Sequence, residues 1–123
     1  MHFLVAETSL GARIVIRSQI IQLGHHVDMA WDGESTLEMA DMRMYHLILI
    51  DIHLNRDLNC YELIECIQEK SKFNQFTPII LLSAALHQEQ LKNNNIHPCF
   101  AKPMNQKDVK KIIEYLEEYQ KNK

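Results

Sequence analysis

Unbroken apolar runs recur along this chain, and each one stops at a polar residue. The clearest is Leu47-Ile48-Leu49-Ile50, which runs straight into Asp51. A run without alternation suits a strand buried on both faces of a parallel sheet. Burying an unpaired carboxylate in mid-strand is costly, so Asp51 is expected at the strand's carboxyl end, where water can enter. Phe3-Leu4-Val5-Ala6 stops in the same way at Glu7-Thr8, and Ile79-Ile80-Leu81-Leu82 stops at Ser83. A shorter run, Pro98 to Ala101, stops at Lys102-Pro103. One segment differs. In Val27-Asp28-Met29-Ala30-Trp31 the apolar residues Val27, Met29 and Trp31 share one face and Asp28 takes the other, as in an edge strand.

Helical spacing fills the intervals. From Leu10 to Leu23 the residues Ile14, Ile16, Ile20, Ile21 and Leu23 form a wide inward stripe, with Arg13, Arg17 and Gln22 left to solvent. Thr8 or Ser9 caps this helix and Gly24 stops it. Asp32-Gly33 makes a turn, and Glu34 to Met44 places Leu37, Ala40 and Met44 on one helical face. Cys60 to Lys70 aligns Leu63, Ile64 and Ile67, a short fourth helix is expected over Leu86 to Lys92, and a fifth begins at Asn105 or Gln106. The fifth turns Val109, Ile112, Ile113 and Leu116 inward. Strand followed by helix, five times over, predicts parallel strands, right-handed crossovers and helices on both faces. With the second strand outermost, the order 2-1-3-4-5 fits: an α/β, doubly wound, flavodoxin-like three-layer sandwich.

Composition narrows the function. The 123 residues read as one domain, 1–123, and 46% apolar with 24% charged residues is ordinary for a globular protein. A net charge of -3 gives no sign of nucleic-acid or membrane-surface binding. No apolar run reaches membrane-spanning length, and the start lacks the basic and apolar regions of a signal peptide. Cys60, Cys66 and Cys99 are odd in number and lack C-x-x-C spacing, so a reducing, cytoplasmic setting without disulfides is expected. Met29 and Trp31 are expected in the core. The histidines show no paired zinc spacing.

The polar residues that end the strands carry the chemistry. In a parallel sheet all carboxyl ends lie on one edge, so Glu7, Asp51, Ser83 and Lys102 are expected around one crevice. Each alone has an ordinary reading as a cap, turn or surface residue. Together, two carboxylates, a hydroxyl and an ammonium suit a phosphate-like group with a hard cation such as Mg²⁺.

Through these residues the chain resembles the receiver domain of two-component signalling systems, most closely the receivers of hybrid sensor histidine kinases. The matching stretches are FLVAE at 3–7, DMAWDG at 28–33, LILIDIHL at 47–54, PIILLSAA at 78–85 and FAKP at 100–103. The resemblance implies that Asp51 is a phosphoacceptor in a phosphorelay and that the domain is not a turnover enzyme. It implies a Mg²⁺ site made by Glu7, Asp51 and the backbone carbonyl of His53. Ser83 becomes the switch hydroxyl and Lys102 the contact to the phosphoryl group. The implied partner is a sensor histidine kinase or a histidine phosphotransfer protein. A homodimer through the face of the fourth helix, fifth strand and fifth helix is a further expectation.

The chain departs from the family pattern at three places. Thr8 stands where the family has a second acid, so it is at best a weak, neutral ligand and Mg²⁺ affinity is expected to fall. The loop Asn55 to Cys60 lacks the usual proline and Asp-Gly and is one residue longer. Cys99 occupies the aromatic switch position. The alternative reading is therefore a pseudo-receiver, a phosphorylation-independent protein-interaction module on the same fold. The fold also hosts flavin carriers and small hydrolases. ETSLGAR is a weak phosphate loop, and an aspartyl-type phosphatase needs an acid where His53 stands.

Overall fold

The computed structural model describes residues 1–52, 54, 60–83, 96–101 and 105–121, with the backbone alone at 83 and 96–101. Five strands form one sheet: β1 (His2–Ala6), β2 (His26–Ala30), β3 (Leu47–Asp51), β4 (Ile79–Ser83) and β5 (Ile96–Ala101). The order is β2-β1-β3-β4-β5 and every pairing is parallel. The described helices are α1 (Leu10–Gln22), α2 (Gly33–Ala40), α3 (Cys60–Lys70) and α4 (Gln106–Lys121). The helix expected over Leu86 to Lys92 lies outside the described residues.

The unbroken apolar strands explain the three layers. Alternate residues of a strand point to opposite faces, and here both faces are covered. Leu4, Ala6, Ile48, Ile50, Ile79 and Leu81 pack with α2 and α3. Phe3, Val5, Leu47, Leu49, Ile80 and Leu82 pack with α1 and α4. Each such side chain except the small Ala6 contributes about 1.5–3 kcal/mol on burial. Beside this, an edge strand is distinct: β2 lies outermost, with Val27 and Met29 leaning on the core while Asp28 stays half-buried.

Local signals set the helix ends. Ser9 caps α1 by accepting from Ala12 N, and Gly24, at φ 86°, turns the chain in the left-handed region that its missing Cβ permits. Asp32 and Ser35 form a reciprocal capping box at α2. Asn105 and Asp108 exchange a similar pair of bonds at α4, 2.9 and 3.0 Å.

Several side chains depart from their expected places. In α1 the buried residues are Ile16 and Ile20, while Ile14 and Ile21 are exposed. At 3.6 residues per turn, Ile14 lies about 200° around the helix from Ile16, so one face cannot hold both. Met44 is not on a helix: α2 ends at Ala40, and Met44 is exposed in the following loop. Trp31 is 54% exposed rather than in the core. Its amide bonds the Ser35 hydroxyl at 3.0 Å, so the backbone has already left the sheet there. Cys60 and Cys66 are thiols outside any disulfide, buried and half-buried.

Candidate functional site at the carboxyl edge

Register alone places the candidate residues. Ala6 pairs with Ile50, so Glu7 and Asp51, one step further on, close adjacent strands at the same level. Adjacent strands are about 4.8 Å apart. Asp51 pairs with Leu82, which puts Ser83 at the end of the strand on its other side. Ser83 in turn pairs with Ala101, the residue before Lys102. His53 and Lys102 themselves lie outside the described residues, as does the fourth-helix part of the face expected to dimerise.

Both carboxylates are buried, Glu7 fully and Asp51 to 4% exposure. The chain folds back directly after Asp51: its carbonyl accepts from Leu54 N at 3.1 Å, and Leu54 is buried beneath the turn. On the other side Glu7 N donates to Ala30 O at 3.0 Å, extending the β1–β2 ladder by one bond. The strand-end positions are those the apolar runs imply, but both carboxylates are buried where the sequence placed Asp51 within reach of water.

Two buried carboxylates on neighbouring strands are costly to ionise together unless positive charge compensates them. Their hard oxygen donors suit a divalent ion of the Mg²⁺ type. Thr8 is exposed and brings no charge. Among the described residues, no group of three or more His, Cys, Asp or Glu side chains is arranged to hold a metal. The donor set fits a metal that takes two carboxylates and completes its shell with carbonyls and water.

Arg13 escaped the sequence reading, which gave it to solvent. Its guanidinium, half-buried, donates to the carbonyls of Glu7 at 2.8 Å and Thr8 at 2.9 Å. It clamps the loop that carries the first acid. The signal lay in its placement in the first turn and a half after a strand end, where a long cation reaches back to carbonyls the sheet leaves unused. Leu10 and Ile14, on α1 beside this loop, are exposed.

The response regulator receiver domain model matches residues 3–114, and the chain belongs to that family. Sensor protein EvgS of Escherichia coli O157:H7 is 28% identical over 107 residues, which is 85% of this chain and 9% of that protein. The chain therefore spans less than a tenth of that relative. Among solved structures, the receiver domain of sensor histidine kinase PA1611 from Pseudomonas aeruginosa PAO1 is similar, with a TM-score of 0.80 and 24% identity over 94% of this chain and 95% of that one. That structure carries a magnesium ion in its active-site cleft. A CheY-like receiver domain from Methanospirillum hungatei JF-1 has a TM-score of 0.85 and 21% identity over 99% and 98% of the two chains. At these identities the likeness carries the fold. No helix among the described residues is long and apolar enough to cross a membrane.

Proposed function

We propose that this receiver domain accepts a phosphoryl group on Asp51 from a phosphohistidine of a sensor kinase or histidine phosphotransfer protein, in the cytoplasm. The observation that carries the reading is the level placement of two buried carboxylates, Glu7 and Asp51, at adjacent strand ends. A carboxylate oxygen of Asp51 attacks phosphorus in line. The new O–P bond forms as the P–N bond to imidazole breaks, and the freed ring nitrogen takes up a proton. Burial holds Asp51 in one position, which supplies most of the advantage of an intramolecular step. Glu7, Asp51 and the His53 carbonyl would hold Mg²⁺, which supplies neutralisation of the phosphoryl oxygens. Ser83 donates a hydrogen bond to the transferred group and Lys102 meets its remaining charge. The domain is consumed and regenerated stoichiometrically, not as a turnover enzyme. Leu10 and Ile14 give the partner an apolar foothold beside the acids.

A specific observation favours a second reading. Thr8 is exposed and neutral where a third acid would complete the metal set, as in a pseudo-receiver that binds partners without phosphorylation. Labelling with acetyl phosphate and with a phosphorylated phosphotransfer protein, with Mg²⁺ and with EDTA, separates the two. Wild type is expected to gain one phosphoryl group by intact mass in Mg²⁺, and Asp51→Asn none. Equal behaviour of the two proteins assigns the chain to the second reading.

A further inference from the structure

The edge of the sheet opposite Asp51 is held by a buried side-chain amide. Asn74, fully buried, donates through Nδ2 to the carbonyls of Ala40 at 2.7 Å and Arg43 at 2.8 Å. Its Oδ1 accepts from Tyr45 N at 2.9 Å and from the Thr77 hydroxyl at 2.8 Å. The amide thus uses both donors and both acceptor sites. Ser71 adds a bond from its hydroxyl to Ala40 O at 3.1 Å and accepts from Asn74 N at 3.1 Å. The loop before β3 and the loop before β4 are stapled into one rigid piece.

That piece presents large apolar side chains to water. Met42 and Phe76 are each 74% exposed, Met44 is 68% exposed and Phe73 is 41% exposed. Met44, Phe73 and Phe76, with Pro78 and Tyr119, line an open groove of about 230 Å³. Exposed apolar side chains clustered on a monomer mark an interaction site, and holding them rigid removes the ordering cost that weakens binding. The segments 42–46, 71–78 and 119–121 carry Arg43, Lys72 and Lys121 and no acid of their own, although Asp41 and Glu118 flank two of them in sequence and Arg43 Nε lies 3.7 Å from Asp28 Oδ2. The two lysines carry the cationic character of the rim. Arg43, Lys72 and Lys121 are exposed.

We propose that this groove docks an amphipathic segment of a partner protein, apolar where it enters the groove and acidic along its flanks. A second copy of this chain is a poorer occupant. A two-fold interface lays the same patch on itself, which would set Lys72 and Lys121 against their own like charges. Because the groove and Asp51 lie at opposite sheet edges, docking and phosphotransfer are separate activities, and the proposal stands independently of the reading of Asp51.

The test uses two synthetic amphipathic peptides with leucines at i, i+3, i+4 and i+7, one flanked by glutamates and the other by lysines. The protein carries ¹³C-methyl methionine, so Met44, which lines the groove, and Met42, two residues before it in the same loop, report on docking, and Met29 and Met39 on the core. The glutamate peptide is expected to shift the Met42 and Met44 methyls saturably, leaving Met29 and Met39 in place. The lysine peptide is expected to bind at least about tenfold more weakly, as is the glutamate peptide toward Lys72→Glu/Lys121→Glu. Phe76→Ser, at an exposed position, is expected to lose most of the affinity, and Asp51→Asn none. No shift with the glutamate peptide, equal binding of both peptides, or unchanged binding to Phe76→Ser overturns the proposal. Shifts of Met42 and Met44 that grow with protein concentration alone assign the patch to self-association and overturn it as well.

Discussion

At the carboxyl edge of the sheet, the candidate groups are strand residues: Glu7 and Asp51 end β1 and β3 at one level. At the amino edge the organising groups belong to loops, with Asn74, Ser71 and Thr77 bonding backbone atoms about thirty residues away. The first edge gathers buried carboxylates at its strand ends. The second spends its buried polar groups as neutral hydrogen bonds that close on themselves, and it leaves its apolar side chains outside. Buried carboxylates gathered at strand ends are a mark of chemistry, whereas a buried, fully satisfied amide is the mark of a scaffold.

The largest expected effect breaks the scaffold. Asn74→Ala removes four bonds at once and strands the Arg43 carbonyl and the Tyr45 amide, while the Ala40 carbonyl keeps only its bond from Ser71 and the Thr77 hydroxyl only its bond to Tyr45 O. Leaving a buried group unsatisfied costs about 1–3 kcal/mol, so a loss of roughly 3–5 kcal/mol is expected. Urea unfolding measures it. A loss below about 1 kcal/mol would mean that water replaces the amide and that the loops are not stapled by it.

The two edges were also unequally legible. Apolar runs ending in Glu7, Asp51 and Ser83 disclosed the strands, their buried faces and their order, because a parallel sheet converts a position along the chain into a position on the rim. The four buried residues of α4 followed from the same periodicity. The loop 71–78 carries no such period. Its order depends on Asn74 reaching Ala40 and Arg43, a tertiary fact with no local signature. The same bonds hold the chain where α2 ends and leave Met44 outside the helix predicted to run to it. Trp31 misled in a related way: its alternation with Met29 is real, but the Asp32 cap diverts the chain one residue too early. Arg13 was missed because a lone arginine on a helix is ordinarily solvated, and only the turn of β1 into α1 brings carbonyls to it.

The next effect sharpens the carboxyl edge. If position 8 is a missing ligand, Thr8→Asp restores a third acid to the Glu7–Asp51 pair. Mg²⁺ affinity is expected to rise about tenfold or more. Trp31, the sole tryptophan, follows Ala30, whose carbonyl accepts from Glu7 N, so its fluorescence can report the titration. Unchanged affinity would show that the metal set is complete without an acid at that position.

A smaller effect belongs to the amino edge. Tyr45 is buried, and its hydroxyl donates to Asp28 Oδ2 at 2.7 Å. Burial, then the hydrogen bond and charge of Asp28, raise the phenol above its ordinary value. A raised folded pKa favours the protonated form in the fold, so the contribution is fully present below the unfolded pKa of about 10 and is lost as pH climbs above it. Tyr45→Phe is expected to cost about 1–2 kcal/mol at neutral pH. Its stability should also fall less steeply than wild type above pH 10; parallel curves would show that the fold does not favour the protonated phenol.

The smallest effect is set by His25, where the amino edge meets α1. Its imidazole sits against Phe3, ring centroids 5.6 Å apart, and is lowered in pKa chiefly by burial, with the neighbouring positive groups adding to the shift. Glu117 opposes the change without reversing it. A lowered folded pKa means that the unfolded chain takes the proton first. The stabilisation is present above the ordinary imidazole pKa of about 6.5 and is lost as pH falls through the folded value. The urea midpoint of wild type should therefore drop between pH 7.5 and 5.5. His25→Gln, which keeps a polar side chain but no titrating ring, should flatten that drop while leaving labelling of Asp51 unaltered, since the two residues lie at opposite ends of the sheet. A pH profile identical in the two proteins would remove His25 from the explanation.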